Sequence, residues 1–180
     1  MTRLKEPIQA YHRLQRRMDR FFRQVKRREK NNLTCRVGCS DCCQRDLALF
    51  PVEVDLLIAA AQGLPENVRR GVVQRARRAL HDSEAPCPLL DQRGKCLVYA
   101  NRPMICRGHG LPLLITFPGK EPSLSVCPLN FQQVRTFASG CVLDLAPVNQ
   151  ILSTINHLWC THQEMNPERL SVSRSLVERL

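Results

Sequence analysis

Cys35-Arg36-Val37-Gly38-Cys39-Ser40-Asp41-Cys42-Cys43 places four thiols within nine residues. Packing does not call for that, because one or two sulfurs would fill the same volume. Thiolates two to three residues apart on a tight loop can instead turn inward and share one soft cation. Gly38 suits such a loop, since it tolerates the positive φ of a sharp turn. The stretch reads as the first half of a cysteine-ligated metal or iron–sulfur site, and it sets the terms for the rest of the chain.

Ten cysteines in 180 residues take their meaning from the redox compartment. The start of the chain, MTRLKEPIQAYHRLQRRMDR, is charged throughout and has no apolar run of signal-peptide length. No segment approaches the roughly 20 apolar residues of a membrane span. A cytoplasmic setting is expected, where thiols stay reduced and dense cysteines act as metal ligands rather than disulfides. The adjacent pair Cys42-Cys43 agrees, because a bond between neighbours closes a small strained ring.

The length fits one domain with an extra element at an end. Hydrophobic residues make up 43% and aromatics 5%, so aliphatic side chains fill much of the core. The expected divisions are 1–30, a basic amphipathic helix; 31–130, a cysteine-cluster metal-binding domain; and 131–180, a C-terminal helical extension packed on that domain. Net charge is +11, yet residues 1–30 hold eleven Lys and Arg against three acids. The positive charge therefore sits mostly on one element.

That element, residues 4–29, reads as a helix. Leu4, Ile8, Tyr11, Leu14, Met18, Phe21, Phe22 and Val25 recur at three- and four-residue steps, with arginines over the remaining surface. Its basic face is either solvated or meets an acidic protein, a nucleic acid or an anionic membrane surface. Pro51 starts a second helix with Glu53 and Asp55 in its first turn, Val54, Leu57, Ile58 and Ala61 inward, and Gly63 as its stop. Pro65 opens a third, to about Leu80, with Val68, Val72, Ala76, Ala79 and Leu80 inward and Arg69, Arg70, Arg75, Arg77 and Arg78 outward. Asp91-Gln92-Arg93-Gly94 reads as the turn of a small hairpin that makes Cys87 and Cys96 neighbours. Pro103 starts a helical turn carrying Cys106. Residues 111–117 and 124–127 read as paired strands around Pro118–Pro122. A further helix begins at Pro147 with Val148, Ile151, Leu152, Ile155, Leu158 and Trp159 inward, and residues 167–180 form one more short helix. The fold class is mainly α with short β-hairpins, an irregular α+β body stapled by metal.

The cysteines form three tiers: Cys35, Cys39, Cys42 and Cys43; then Cys87, Cys96 and Cys106; then the scattered Cys127, Cys141 and Cys160. Seven clustered thiols exceed the four ligands of one tetrahedral zinc. They suit two mononuclear sites, one binuclear site, or an iron–sulfur cluster with spare thiols. Cys127, His109, Glu53 or water are candidates for an eighth ligand. Cys42 and Cys43 cannot easily serve one ion from an extended backbone, which points them to opposite faces; either the backbone is helical there or, the option favoured, the two thiols serve different metals. Arg36, Arg45, Arg93, Arg102 and Arg107 can offset thiolate charge, Arg107 being favoured. Cys141 reads as a buried apolar cysteine, and Cys160 as packed beside Trp159, with His157 and His162 exposed rather than joining it in a metal site.

CRVGCSDCC, CPLL and GKCLVYANRPMICRGHG together resemble the YkgJ-like cysteine-cluster family, a zinc- or iron-chelating domain, over roughly residues 33–130. The resemblance implies Cys35, Cys39, Cys42, Cys43, Cys87, Cys96 and Cys106 as metal ligands, Cys127 as the matching later cysteine, and Arg102, Pro103 and Arg107 as motif partners. The expected function is a cytosolic protein holding zinc or iron through seven or eight cysteines. Two alternatives stand beside it. One is an iron–sulfur enzyme acting on a protein or small molecule, for which His109, Glu53 and Arg107 are the available groups. The other is a basic adaptor with a purely structural metal. Gly-rich phosphate loops, serine-nucleophile elbows and His-Glu-x-x-His motifs are absent from the sequence, which leaves the common hydrolase and nucleotide-binding readings without support.

Overall fold

The computed structural model describes residues 5–138 and 140–180; Leu4 of the expected first stripe lies outside them. In chain order the helices are α1 (Lys5–Arg28), α2 (Pro51–Gln62), α3 (Glu66–Ala79), α4 (Met104–Gly108), α5 (Leu145–Gln163) and α6 (Val172–Arg179). The strands are β1 (Ala48–Leu49), β2 (Leu113–Ile115), β3 (Ser123–Ser125), β4 (Leu143–Asp144) and β5 (Leu170–Ser171). The fold is mainly helical with short β-structure, as the sequence leads one to expect. The chain divides into two compact units, Met1–Arg36 with Met104–Ile155, and Val37–Pro103 with Asn156–Leu180.

In the first unit, α1 buries Tyr11, Leu14, Met18 and Val25, while Ile8, Phe21 and Phe22 are half-buried. Lys26, Arg27 and Arg28 close the helix, where the dipole favours cations. The short helix α4 packs on α1, and a Cβ on Gly108 would lie 3.3 Å from Leu143 and 3.5 Å from Met18, so the glycine sits in close contact with both side chains. Arg107 fastens the same contact: its guanidinium donates to both carboxylate oxygens of Asp19 at 2.8 Å. The three-stranded sheet runs β3-β2-β4, antiparallel in the β2–β3 hairpin and parallel between β2 and β4. The hairpin lies where the sequence puts it but is shorter. The parallel partner β4 was not anticipated, because a two-residue strand has no period to read.

In the second unit, Pro51 begins α2 and Gly63 caps it. Val52, Val54, Leu57, Ile58 and Ala61 are buried, each large apolar side chain contributing about 1.5–3 kcal/mol over exposure. The helix α3 buries Val72, Ala76 and Ala79 and packs against α6, as does α2. Three helix-face expectations are corrected. Leu80 is 39% exposed: it caps α3 in helical geometry at the edge of the face that Val72, Ala76 and Ala79 bury. Ile151 and Leu158 on α5 are 40% and 44% exposed; Leu152, Ile155 and Trp159 carry its buried face, which is narrower than the sequence suggests.

The antiparallel pair β1–β5 brings Ala48 opposite Ser171 and Leu49 opposite Leu170. Asp46 secures this join, accepting from Ser171 Oγ at 2.6 Å, Ser173 Oγ at 2.7 Å and Ser173 N at 3.0 Å. Ser171 also caps α6 by accepting from the Arg174 amide. The segment that follows Cys43 is thus held by the last residues of the chain.

Candidate metal centre

Five candidate ligands lie in the second unit: Cys39, Cys42, Cys43, Cys87 and Cys96. All are half-buried thiols. A single 3-10 turn covers Asp41–Cys43, closed by the Cys43 amide donating to Ser40 O at 2.8 Å. The backbone is therefore helical at Cys42-Cys43, the condition under which neighbouring thiols can point to one region. Gly38, at φ 90°, makes the turn before it.

Two further contacts bring the second tier to the first. The Cys87 amide donates to Cys43 O at 2.7 Å. Cys96 faces Leu90 across an antiparallel bridge, with the Leu97 amide donating to Leu89 O at 2.8 Å, which forms the expected hairpin. Asp91 shapes its turn by accepting from the Arg93 and Lys95 amides, both at 2.8 Å. The tip then packs on the first loop: a Cβ on Gly94 would stand 3.1 Å from both Gly38 O and Ser40 Oγ.

Electrostatics follow from this crowding. A hydrogen bond with Cys43, then burial, pushes the Cys42 thiol far above its ordinary range, with Arg102 opposing. Burial lifts Cys87 to about 11; neighbouring Cys96 and Asp46 add to the rise, while the Leu89 amide and Arg75 resist it. Burial also raises Cys96, against the Val98 amide and Arg102. The Arg102 guanidinium stacks 3.6 Å over the Tyr99 ring. Arg75 corrects an expectation. It was assigned to the solvent side of α3, but it is half-buried and its Nε donates to Pro88 O at 2.9 Å, next to Cys87. Arg36, Arg45 and Arg93 are exposed.

Cys35, Cys106 and Cys127 belong to the first unit and are also half-buried. Lys26 Nζ donates to Cys35 O at 2.8 Å. Asn130, 2% exposed, is the organising residue that the sequence reading missed. Its Oδ1 accepts from Thr34 N at 2.9 Å and Thr34 Oγ1 at 2.8 Å. Its Nδ2 donates to Gly110 O at 2.8 Å and to Cys35 Sγ at 3.2 Å. Its own amide donates to Cys127 O at 2.9 Å. One side chain thus ties the neighbourhoods of Cys35, Cys127 and Gly110. Gly110 has φ 95°, and a Cβ there would collide with Cys35 Sγ. Cys106 rides on α4, and His109 is half-buried with Nδ1 3.1 Å from Ile105 O. Arg107, favoured as a thiolate partner, is 5% exposed and paired with Asp19.

Of the remaining candidates, Glu53 is 3% exposed within α2. Asp55 is a structural tie, accepting from Trp159 Nε1 and Arg179, both at 2.7 Å. Cys141 is buried with Sγ 3.7 Å from Glu29 Oε1, and Cys160 is buried with Sγ 3.6 Å from Asn156 Oδ1. His157 and His162 are exposed, as expected. Among the described residues no three His, Cys, Asp or Glu side chains converge tightly enough to hold an ion. The donors fit zinc or iron in chemical kind: they are soft sulfurs, none in a disulfide, on loops flanked by arginine.

Residues 34–123, half of the chain, match the family CxxCxxCC, described as "Putative zinc- or iron-chelating domain". The chain belongs to that family. The CxxCxxCC match takes in seven of the eight candidates, Cys35 through Cys106, and ends four residues before Cys127. No curated protein and no solved structure matches the chain. No helix among the described residues is long and apolar enough to cross a membrane.

Proposed function

We propose that this protein chelates zinc or iron through cysteines drawn from Cys35, Cys39, Cys42, Cys43, Cys87, Cys96, Cys106 and Cys127. The observation that carries the reading is the 2.7 Å bond from Cys87 N to Cys43 O, which brings cysteines more than forty positions apart onto adjoining loops. The hairpin tip at Gly94 holds Cys96 to the same place. Without metal, Cys42, Cys87 and Cys96 favour the protonated thiol, Cys42 chiefly through its hydrogen bond with Cys43 and the other two through burial. Metal entry exchanges those protons for the ion, so affinity rises with pH. The ion supplies the positive charge that several thiolates require. Arg102 and Arg75 supply more of it from the chain itself, favouring the thiolate at Cys42 and Cys96 and at Cys87 respectively.

The test is the metal and acid-labile sulfide content of anaerobically purified protein, with its visible spectrum. Stoichiometric zinc or iron that is lost in Cys43→Ser and Cys87→Ser is the expected result. Iron with matching sulfide would specify a cluster as its form. Absence of any metal, with all thiols titratable, would overturn the reading.

A further inference from the structure

A groove of about 370 Å³ runs through the first unit between α1 and the start of α5. That is within the size range of ligand clefts, roughly 300–1,000 Å³. One wall is a single stripe of α1: Leu14, Arg17, Met18, Phe21 and Gln24, at three- and four-residue steps. The other is Val142–Asp144 with Pro147, Val148 and Ile151 of α5. The floor is aliphatic apart from Phe21. Ile151 is 40% exposed along it.

The rim is cationic. Arg17 and Arg20 are exposed and make no ion pair among the described residues. Helix α1 carries nine Lys and Arg against Glu6 and Asp19, and Asp19 is already taken by Arg107. The one carboxylate of the lining, Asp144, accepts from the Ala146 amide at 3.0 Å at the start of α5.

We propose that this groove is the docking site for an acidic amphipathic helix of a partner protein. Leu- or Ile-type side chains at i, i+3, i+4 and i+7 would fill the aliphatic floor, and flanking carboxylates would meet Arg17 and Arg20. Charge complementarity selects this occupant. A second copy would bring the same basic helix and repel. A nucleic acid satisfies the arginines but has no aliphatic groups for the floor. An anionic bilayer is a flat surface facing a recess. The site uses neither the cysteines nor any metal.

The test is fluorescence anisotropy with a labelled peptide of about 18 residues, roughly 27 Å as a helix. It has Leu at i, i+3, i+4 and i+7 and Glu elsewhere, and is compared with a scrambled peptide of equal composition. Saturable binding about tenfold or more tighter than the scrambled peptide is expected. Ile151→Asp and Arg20→Glu should each weaken it about tenfold; both positions are exposed, so the variants should keep wild-type metal content and thermal unfolding. Equal binding of the two peptides, insensitivity to both substitutions, or equally effective displacement by duplex DNA or phosphatidylserine vesicles would overturn the proposal.

Discussion

Replacing Asn130 by Asp exchanges one atom of a buried side chain and separates its two halves. The two bonds accepted by Oδ1, from Thr34 N at 2.9 Å and Thr34 Oγ1 at 2.8 Å, survive in a carboxylate. The two made by Nδ2 do not. A carboxylate oxygen would face Gly110 O at the 2.8 Å now spanned by a hydrogen bond, and would also face Cys35 Sγ. Losing the bond to a buried carbonyl costs about 1–3 kcal/mol, and the weaker sulfur contact about 0.5–1 kcal/mol. Repulsion adds to both, giving about 2–5 kcal/mol for Asn130→Asp. Asn130→Ala loses all four bonds, but Thr34 is exposed and regains water, so its cost is of similar size, about 3 kcal/mol. Urea unfolding measures the loss, and amide hydrogen exchange distinguishes the two variants. The Thr34 amide should stay protected in Asn130→Asp and exchange faster in Asn130→Ala. The Asp deficit should shrink toward pH 4, because a protonated carboxyl donates again to Gly110 O. Losses under about 1 kcal/mol in both variants, or an unchanged Thr34 amide in Asn130→Ala, would refute the organising role of Asn130.

Asp46→Ala removes three hydrogen bonds to Ser171 and to fully buried Ser173, so a loss of about 3 kcal/mol and faster exchange of the Ser173 amide are expected in hydrogen-exchange mass spectrometry. Burial raises Cys87 from 9.0 to about 11, favouring the protonated thiol in the folded state. Metal-free protein should therefore keep its stability below pH 9 and lose about 3 kcal/mol as pH rises to 11 and beyond, a decline that Cys87→Ser should reduce in urea titrations at stepped pH. Arg102→Ala removes the cation that favours thiolate at Cys42 and Cys96 and should weaken zinc uptake at neutral pH roughly tenfold in competition with a chromogenic chelator, with Arg102→Lys intermediate.

What could be read in the sequence was what has a local signature. The helix α1 announces itself by a stripe repeated over six turns, α2 and α3 by prolines at their starts, and the Cys87–Cys96 hairpin by Asp91 and Gly94. Errors fell where the period ends or narrows. Leu80 lies one residue past the end of α3, and Ile151 and Leu158 extend an apolar pattern beyond the face that α5 buries. Helix-face arithmetic also put Arg75 in solvent, because it counts angles and not the length of an arginine side chain that can reach Pro88 O. Asn130 and Asp46 were out of reach for another reason. Each gains its role from partners about a hundred positions away, Thr34 for one and Ser171 and Ser173 for the other, and neither sits in a local pattern that marks it. Seven of the eight candidate ligands were named from spacing, turn residues and family wording that fall within residues 34–123, and Cys127 lies beyond that match. The way the two-segment units divide them between themselves was not.

The ten cysteines separate into two kinds by what the protein does with their main chains. Cys141 and Cys160 are buried, and their sulfurs are engaged with Glu29 and Asn156. The eight candidates are all half-buried, and for most of them it is the backbone that is fastened. Cys35 O accepts from Lys26, Cys43 O from the Cys87 amide, Cys87 O from the Leu90 amide at 3.0 Å and Cys127 O from the Asn130 amide, while Cys96 is held in its bridge to Leu90. Fixing a loop through its peptide groups limits where each sulfur can go, and several sulfurs are held as well, Cys35 Sγ by Asn130 Nδ2 and Cys42 by its hydrogen bond with Cys43. Packing cysteines need the reverse, a sulfur fitted to its neighbours. A chain that meant its clustered thiols only to fill volume would bury them as it buries Cys141. On the proposed function, a pinned backbone with half-buried thiols suits donation to an incoming soft cation, and Asn130, which ties the neighbourhoods of Cys35 and Cys127, is the residue without a sulfur whose loss should be felt there.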